Sequence, residues 1–111
     1  MVKMTTEVFD NYVVLHLEGD FVGNEDVDKL RDMFRALADK HDNLIIDLKN
    51  VSYLNSTSLG ALLSGNALFE KKGGKAYVCN LSDYLKNIFQ ITKLTLIFEL
   101  YGSIQEAVDA L

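Results

Sequence analysis

Hydrophobic residues along this chain follow two different periods, and the switches between them mark out the elements. Val8-Phe9 closes a first extended segment, and Asp10-Asn11 is a turn pair, because short polar side chains bond readily to their own backbone. Tyr12 to Glu18 is β-branched and aromatic and alternates: Val13, Leu15 and Leu17 take one face, Tyr12, Val14, His16 and Glu18 the other. The short turn makes the two segments a hairpin. Gly19-Asp20-Phe21-Val22-Gly23 then breaks the alternation. From there Val27, Leu30, Phe34, Leu37 and Ala38 recur at helical spacing, with Lys29, Asp32, Arg35 and Asp39 on the wet side. Asn24 is the expected N-cap of this helix, Glu25 and Asp26 suit the positive end of its dipole, and it should end near Lys40-His41-Asp42.

Leu44-Ile45-Ile46-Asp47-Leu48 is a short apolar run, the pattern of a central strand covered on both faces. A loop from Lys49 to Asn55 leads into a second helix, Thr57 to Lys72, with Leu59, Leu62, Leu63 and Phe69 on its apolar side. That helix is rich in small residues, and the side bearing Gly60, Ser64 and Ala67 suits either close packing in the core or docking of a partner. Gly73-Gly74 ends it. Ala76 to Leu81 reads as a fourth strand, Ser82 as the cap of a short helix from Asp83 to Phe89, and Leu96 to Leu100 as a fifth strand. Ser103 with Glu106 is a capping box opening a last helix, with Ile104, Ala107, Val108 and Leu111 on one face. The order β-β-α-β-α-β-α-β-α predicts an α/β fold: one domain over residues 1–111, with a mixed sheet mostly parallel beyond the hairpin.

Composition narrows the function classes. A chain of 111 residues can bury one core, and 49% hydrophobic with 24% charged residues is an ordinary globular balance. The net charge is −5 and Lys71, Lys72 and Lys75 form the only basic cluster, which argues against sequence-independent nucleic-acid binding and for a protein partner. The single cysteine, Cys79, lies in an apolar run and is expected to be a buried, reduced thiol, with no intrachain disulfide. No apolar stretch resembles a signal peptide or a membrane span, so the expected location is the cytoplasm. His16 and His41 lack metal-ligand spacing, Ser56 lacks the flanking glycines of a hydrolase elbow, and there is no Walker or dinucleotide glycine pattern. The expectation is a binding protein with no cofactor or metal, not an enzyme.

The most suggestive chemistry lies where the third strand gives way to the second helix. Asn55 is followed there by three hydroxyls, Ser56, Thr57 and Ser58. A phosphate on this turn would meet backbone N–H groups and the positive end of the helix dipole. Asn55 or Ser56 also serves as a plain N-cap, and spacing alone leaves both readings open.

Val51-Ser52-Tyr53-Leu54-Asn55-Ser56-Thr57-Ser58-Leu59-Gly60, preceded by Leu44-Ile45-Ile46-Asp47-Leu48, resembles the signature of the STAS family, which takes in bacterial anti-sigma factor antagonists and the cytoplasmic domains of sulfate transporters. Leu17-Glu18-Gly19-Asp20-Phe21 is similar to another segment of that family, and the likeness covers nearly the whole chain. The resemblance implies that Ser56 is a phospho-acceptor and that Asp20, Asn55, Thr57, Ser58 and Gly60 face a partner. It also implies the partners: an anti-sigma factor that is a serine kinase, and a PP2C-type phosphatase that resets the phosphorylated form. Asn55 stands where the antagonists usually carry Asp, and Ser58 where they carry Gly. These two departures favour an alternative, a STAS scaffold subunit of a signalling or lipid-transport complex without phospho-control. A small-ligand or nucleotide sensor is a third class.

Overall fold

The structure is a computed structural model and describes residues 2–111. Its first two strands form the expected hairpin. β1 (Lys3–Val8) and β2 (Val13–Glu18) pair antiparallel, with Val8 opposite Val13 and Lys3 opposite Glu18. The Phe9 N–H donates to the Tyr12 carbonyl at 2.9 Å, and the two rings stack with centroids 4.7 Å apart, so backbone and apolar contact close the turn together.

Helix α1 (Asn24–Lys40) buries Val27, Leu30, Phe34, Leu37 and Ala38, the stripe its periodicity predicts. Its cap differs from expectation. Gly23, not Asn24, is the N-cap, and no side chain caps this end. The Gly23 carbonyl already takes the Val27 N–H at 3.0 Å, which draws Asn24 into the helix, and Glu25 and Asp26 supply favourable charge instead.

Strand β3 (Asn43–Asn50) is central and parallel to β2 and to β4 (Lys75–Cys79); β5 (Leu100–Tyr101) pairs parallel with β4. The sheet order is β1-β2-β3-β4-β5. Three more helices complete the fold: α2 (Ser56–Glu70), α3 (Asp83–Ile91) and α4 (Ile104–Asp109). On one face of the sheet, Val13, Leu15, Leu44, Ile46, Ala76 and Val78 share a core with α1, α2 and α3. On the other, Val14, Ile45, Tyr77 and Cys79 pack with Ala107 of α4.

Close packing of α1 on α2 depends on Gly65, not on Gly60. A Cβ on Gly65 would lie 2.7 Å from the Phe34 ring, inside contact distance, whereas one on Gly60 would meet only the Arg31 guanidinium, at 4.0 Å. Gly60, Ser64 and Ala67 face outward on α2. Asn66 of α2 is buried, and its Oδ1 accepts the Ala76 N–H at 2.9 Å, tying the helix to β4. The basic cluster is dispersed. Lys72 donates to the carbonyls of Ala38 and His41 at the end of α1, and Lys75 lies 3.7 Å from Glu99.

The fifth strand is shorter than expected and comes later. Leu96 to Leu100 reads as an extended run, but Leu94–Leu96 forms a single 3-10 turn and only Leu100 and Tyr101 pair with β4. Lys93 at φ 62° ends α3 and starts this turn, and the Phe98 N–H bonds the Leu94 carbonyl at 2.8 Å. Burial therefore follows a helical step, Leu94 to Phe98, and leaves Leu96 exposed. Among the described residues, no helix is long and apolar enough to cross a membrane.

Candidate functional site

The loop from β3 to α2 is held by three anchors. Val51 and Leu54 are buried beneath it, and the Val51 N–H bonds the Leu48 carbonyl at 3.1 Å. The segment between β2 and α1 supplies the second anchor: Asp20 Oδ1 accepts from Ser52 Oγ at 3.0 Å and from the Tyr53 N–H at 3.1 Å. Asn55 supplies the third, donating through Nδ2 to the Val22 carbonyl at 3.2 Å. Asp20 thus fixes the loop backbone, and the start of α2 sits against the β2–α1 connection.

Asn55 is the N-cap of α2. Its Oδ1 accepts the Ser58 N–H at 2.9 Å, while Ser58 Oγ accepts the Asn55 N–H at 2.9 Å. This is a reciprocal capping box, which satisfies two backbone donors that a helix start otherwise leaves without partners. The Ser58 hydroxyl proton lies within reach of the Asn55 carbonyl and Oδ1, both at 3.0 Å. Ser58 is fully buried, so its hydroxyl is consumed inside the fold. It does not join the partner-facing surface expected of it.

Ser56 and Thr57 are exposed on the first turn, which carries no acidic side chain. Gly60, half exposed, lies one turn further on, followed by exposed Ser64 and Ala67. Arg31 of α1 borders this strip, donating through Nη1 to Ser64 Oγ at 3.3 Å. Tyr53 and Tyr84, both exposed, stack with centroids 6.1 Å apart and bring α3 beside the loop. Asn55, Ser56, Thr57 and Gly60 are therefore gathered at one end of α2, with the exposed Asp20 bonded to the adjoining loop. The Tyr53–Tyr84 pair is part of this surface but gave no signal in the sequence, because it depends on two elements about thirty residues apart meeting in the fold.

Among the described residues, no three His, Cys, Asp or Glu side chains are grouped as metal ligands would be. The Cys79 thiol is buried and its pKa is pushed up to about 12, by burial and then by the charge of Asp47, which keeps it protonated and unreactive.

The family model described as STAS domain matches residues 3–107. The anti-sigma-B factor antagonist of Bacillus subtilis is 40% identical over 65 residues, 59% of this chain and 60% of that protein. The crystal structure of an anti-sigma factor antagonist from Mycobacterium paratuberculosis superposes with a TM-score of 0.84 at 26% identity, covering 99% of this chain and 93% of that one. The Bacillus cell fate determinant SpoIIAA in its phosphorylated form shares the fold, with a TM-score of 0.74 at 20% identity over 97% of this chain and 98% of that one. With a match over almost its full length and the expected loop at the start of α2, the chain belongs to the STAS domain family.

Proposed function

We propose that this protein is an anti-sigma factor antagonist controlled by phosphorylation of Ser56. In its unphosphorylated form it binds an anti-sigma factor that is also a serine kinase, and so frees the sigma factor. Phosphorylation releases the antagonist, and a PP2C-type phosphatase resets it. The protein acts by binding in the cytoplasm and catalyses nothing itself.

One observation carries this reading: Ser56 projects an exposed hydroxyl from the first turn of α2, while the neighbouring Ser58 is locked in the capping box. Of the three hydroxyls only Ser56 and Thr57 are accessible to a kinase. The helix start tolerates the product, since a phosphate there meets the positive end of the dipole. A docked partner does not tolerate it. The added charge of about −1.5 to −2 must be desolvated in an interface that fits a neutral hydroxyl. A penalty of about 2.7 kcal/mol weakens binding a hundredfold.

The test is direct. Incubation with the cognate kinase and ATP should add one phosphate, and Ser56→Ala should abolish it; unchanged incorporation in that variant moves the site to Thr57. Ser56→Asp should weaken partner binding about a hundredfold by calorimetry, and full affinity would refute the charge switch. The Asn55–Ser58 box favours a second reading, a STAS scaffold subunit without phospho-control, for which binding would ignore ATP and phosphatase alike.

A further inference from the structure

His16 lies in β2 on the sheet face opposite α1 and α2, between two carboxylates. Its Nε2 is 2.5 Å from Glu7 Oε1 of β1, and its Nδ1 is 2.7 Å from Asp47 Oδ2 of β3. An ionised carboxylate only accepts hydrogen bonds, so both ring nitrogens must carry a proton for both bonds to form. That state is the imidazolium cation. Asp47 is fixed from its other side, where Oδ1 accepts from Asn80 Nδ2 at 2.9 Å and from the Lys49 N–H at 3.0 Å. Asn80, held at φ 61°, donates its own N–H to the Tyr101 carbonyl at 3.1 Å. The bonds therefore run across the whole sheet, from β1 to β5.

We propose that Glu7, His16 and Asp47 form a proton-operated latch that fastens the edge strand β1 to the centre of the sheet. β1 needs such a device. Of its six residues only Met4 is even half-buried, so apolar packing holds it weakly. When His16 loses its proton, one nitrogen turns a lone pair toward a carboxylate and that bond fails. Asp47 is buried and held by two further donors, whereas Glu7 is exposed, so the bond to β1 is the one released.

Other titratable groups share this face by alternation. Lys3 and Glu18 stand at the open end of the hairpin, Lys49 follows Asp47 on β3, and the Cys79 thiol and the Tyr77 and Tyr101 phenols lie further across. Helix α4 meets the face with Ile104, Ala107 and Val108, all apolar. Burial pulls the imidazole toward neutrality, but hydrogen bonds to Asp47 and Glu7 and their charges outweigh it and hold the pKa above the ordinary 6.5. Burial likewise raises the Asp47 carboxyl, and donation from Asn80, His16 and the Lys49 N–H, with the charge on His16, brings it below its ordinary 3.8. A raised histidine pKa contributes stability that is complete below 6.5 and is lost as pH rises through the folded value. A lowered Asp47 pKa sets the acid limit in the opposite sense. The latch is closed between the two.

The latch does not depend on Ser56 and is tested separately. Nitrogen NMR of the His16 ring should show both nitrogens protonated at pH 6.5, with a midpoint above that value. Protection of the β1 amides bonded to β2 should fall as pH rises toward the midpoint, by at most about tenfold per pH unit, the limit for one proton. Glu7→Gln, an exposed change that leaves the fold intact, should lower the midpoint and flatten the β1 response. A neutral single-tautomer ring at pH 6.5, or β1 protection indifferent to pH across the midpoint, would overturn the proposal.

Discussion

The two faces of the sheet are built on different principles. The face under α1, α2 and α3 is continuous and largely apolar, with Phe34, Leu62 and Phe69 packed onto the inward residues of β2, β3 and β4. The opposite face has a much smaller apolar cluster under α4, and the β1–β2 side of it is occupied by the Glu7–His16–Asp47 network. The first face supplies cohesion that hardly varies with pH, since its attraction depends on buried apolar area. The second depends on protonation state and hydrogen-bond partners. The Ser56 site is mounted on the first, so a charge change there need not disturb the packing that positions it.

The contrast can be broken most forcefully at Phe34. Phe34→Ala removes a ring wedged against Gly65, and chemical denaturation should show a loss of about 3–5 kcal/mol. Val14→Ala, its counterpart on the second face, should cost about 2 kcal/mol from two lost carbons at roughly 0.8 kcal/mol each plus a small cavity. Equal losses would mean that the faces share stability evenly. Next comes the cap at the site. Asn55→Ala should cost about 1 kcal/mol, and Ser58→Ala should add little to it, because each residue bonds through the other. Full additivity would show that the capping box does not act as one unit. The smallest effect is expected at Cys79, whose alkylation by a thiol reagent should be negligible in native buffer and complete in denaturant. Rapid native labelling would show that the second face opens more widely than its burial indicates.

Features encoded within four or five residues were legible in the sequence. The α1 stripe is one. Ser82, which accepts the Leu85 N–H at 3.2 Å, and Ser103, which accepts the Glu106 N–H at 3.1 Å, are others. Features that depend on distant partners were not. His16 reads in isolation as a surface or interface residue, because its partners lie nine and thirty-one residues away and only strand register sets them beside it. Gly65 and Gly60 are indistinguishable by pattern, and the crossing of α1 decides which one packs. The run from Leu96 to Leu100 departs from its strand pattern for a related reason. Its composition suits a strand, but the ring of Phe98 is drawn toward Phe89, 6.1 Å away, and the chain turns to reach it. At the site, the position of Ser56 followed from the loop-to-helix junction. The joint meaning of Asn55 and Ser58 did not: taken separately they are two departures from the family pattern, and in the fold they are the two halves of one cap.

The strands lie in the sheet in the order in which they occur along the chain. No strand has to be inserted between two already formed, so each newly synthesised segment finds its neighbour already in place. The N-terminal hairpin, marginal by itself, gains its first lasting support when β3 follows it, and β4 and β5 then extend the sheet from one growing edge. Such an order suits assembly during translation, when the N-terminal portion is free to fold first.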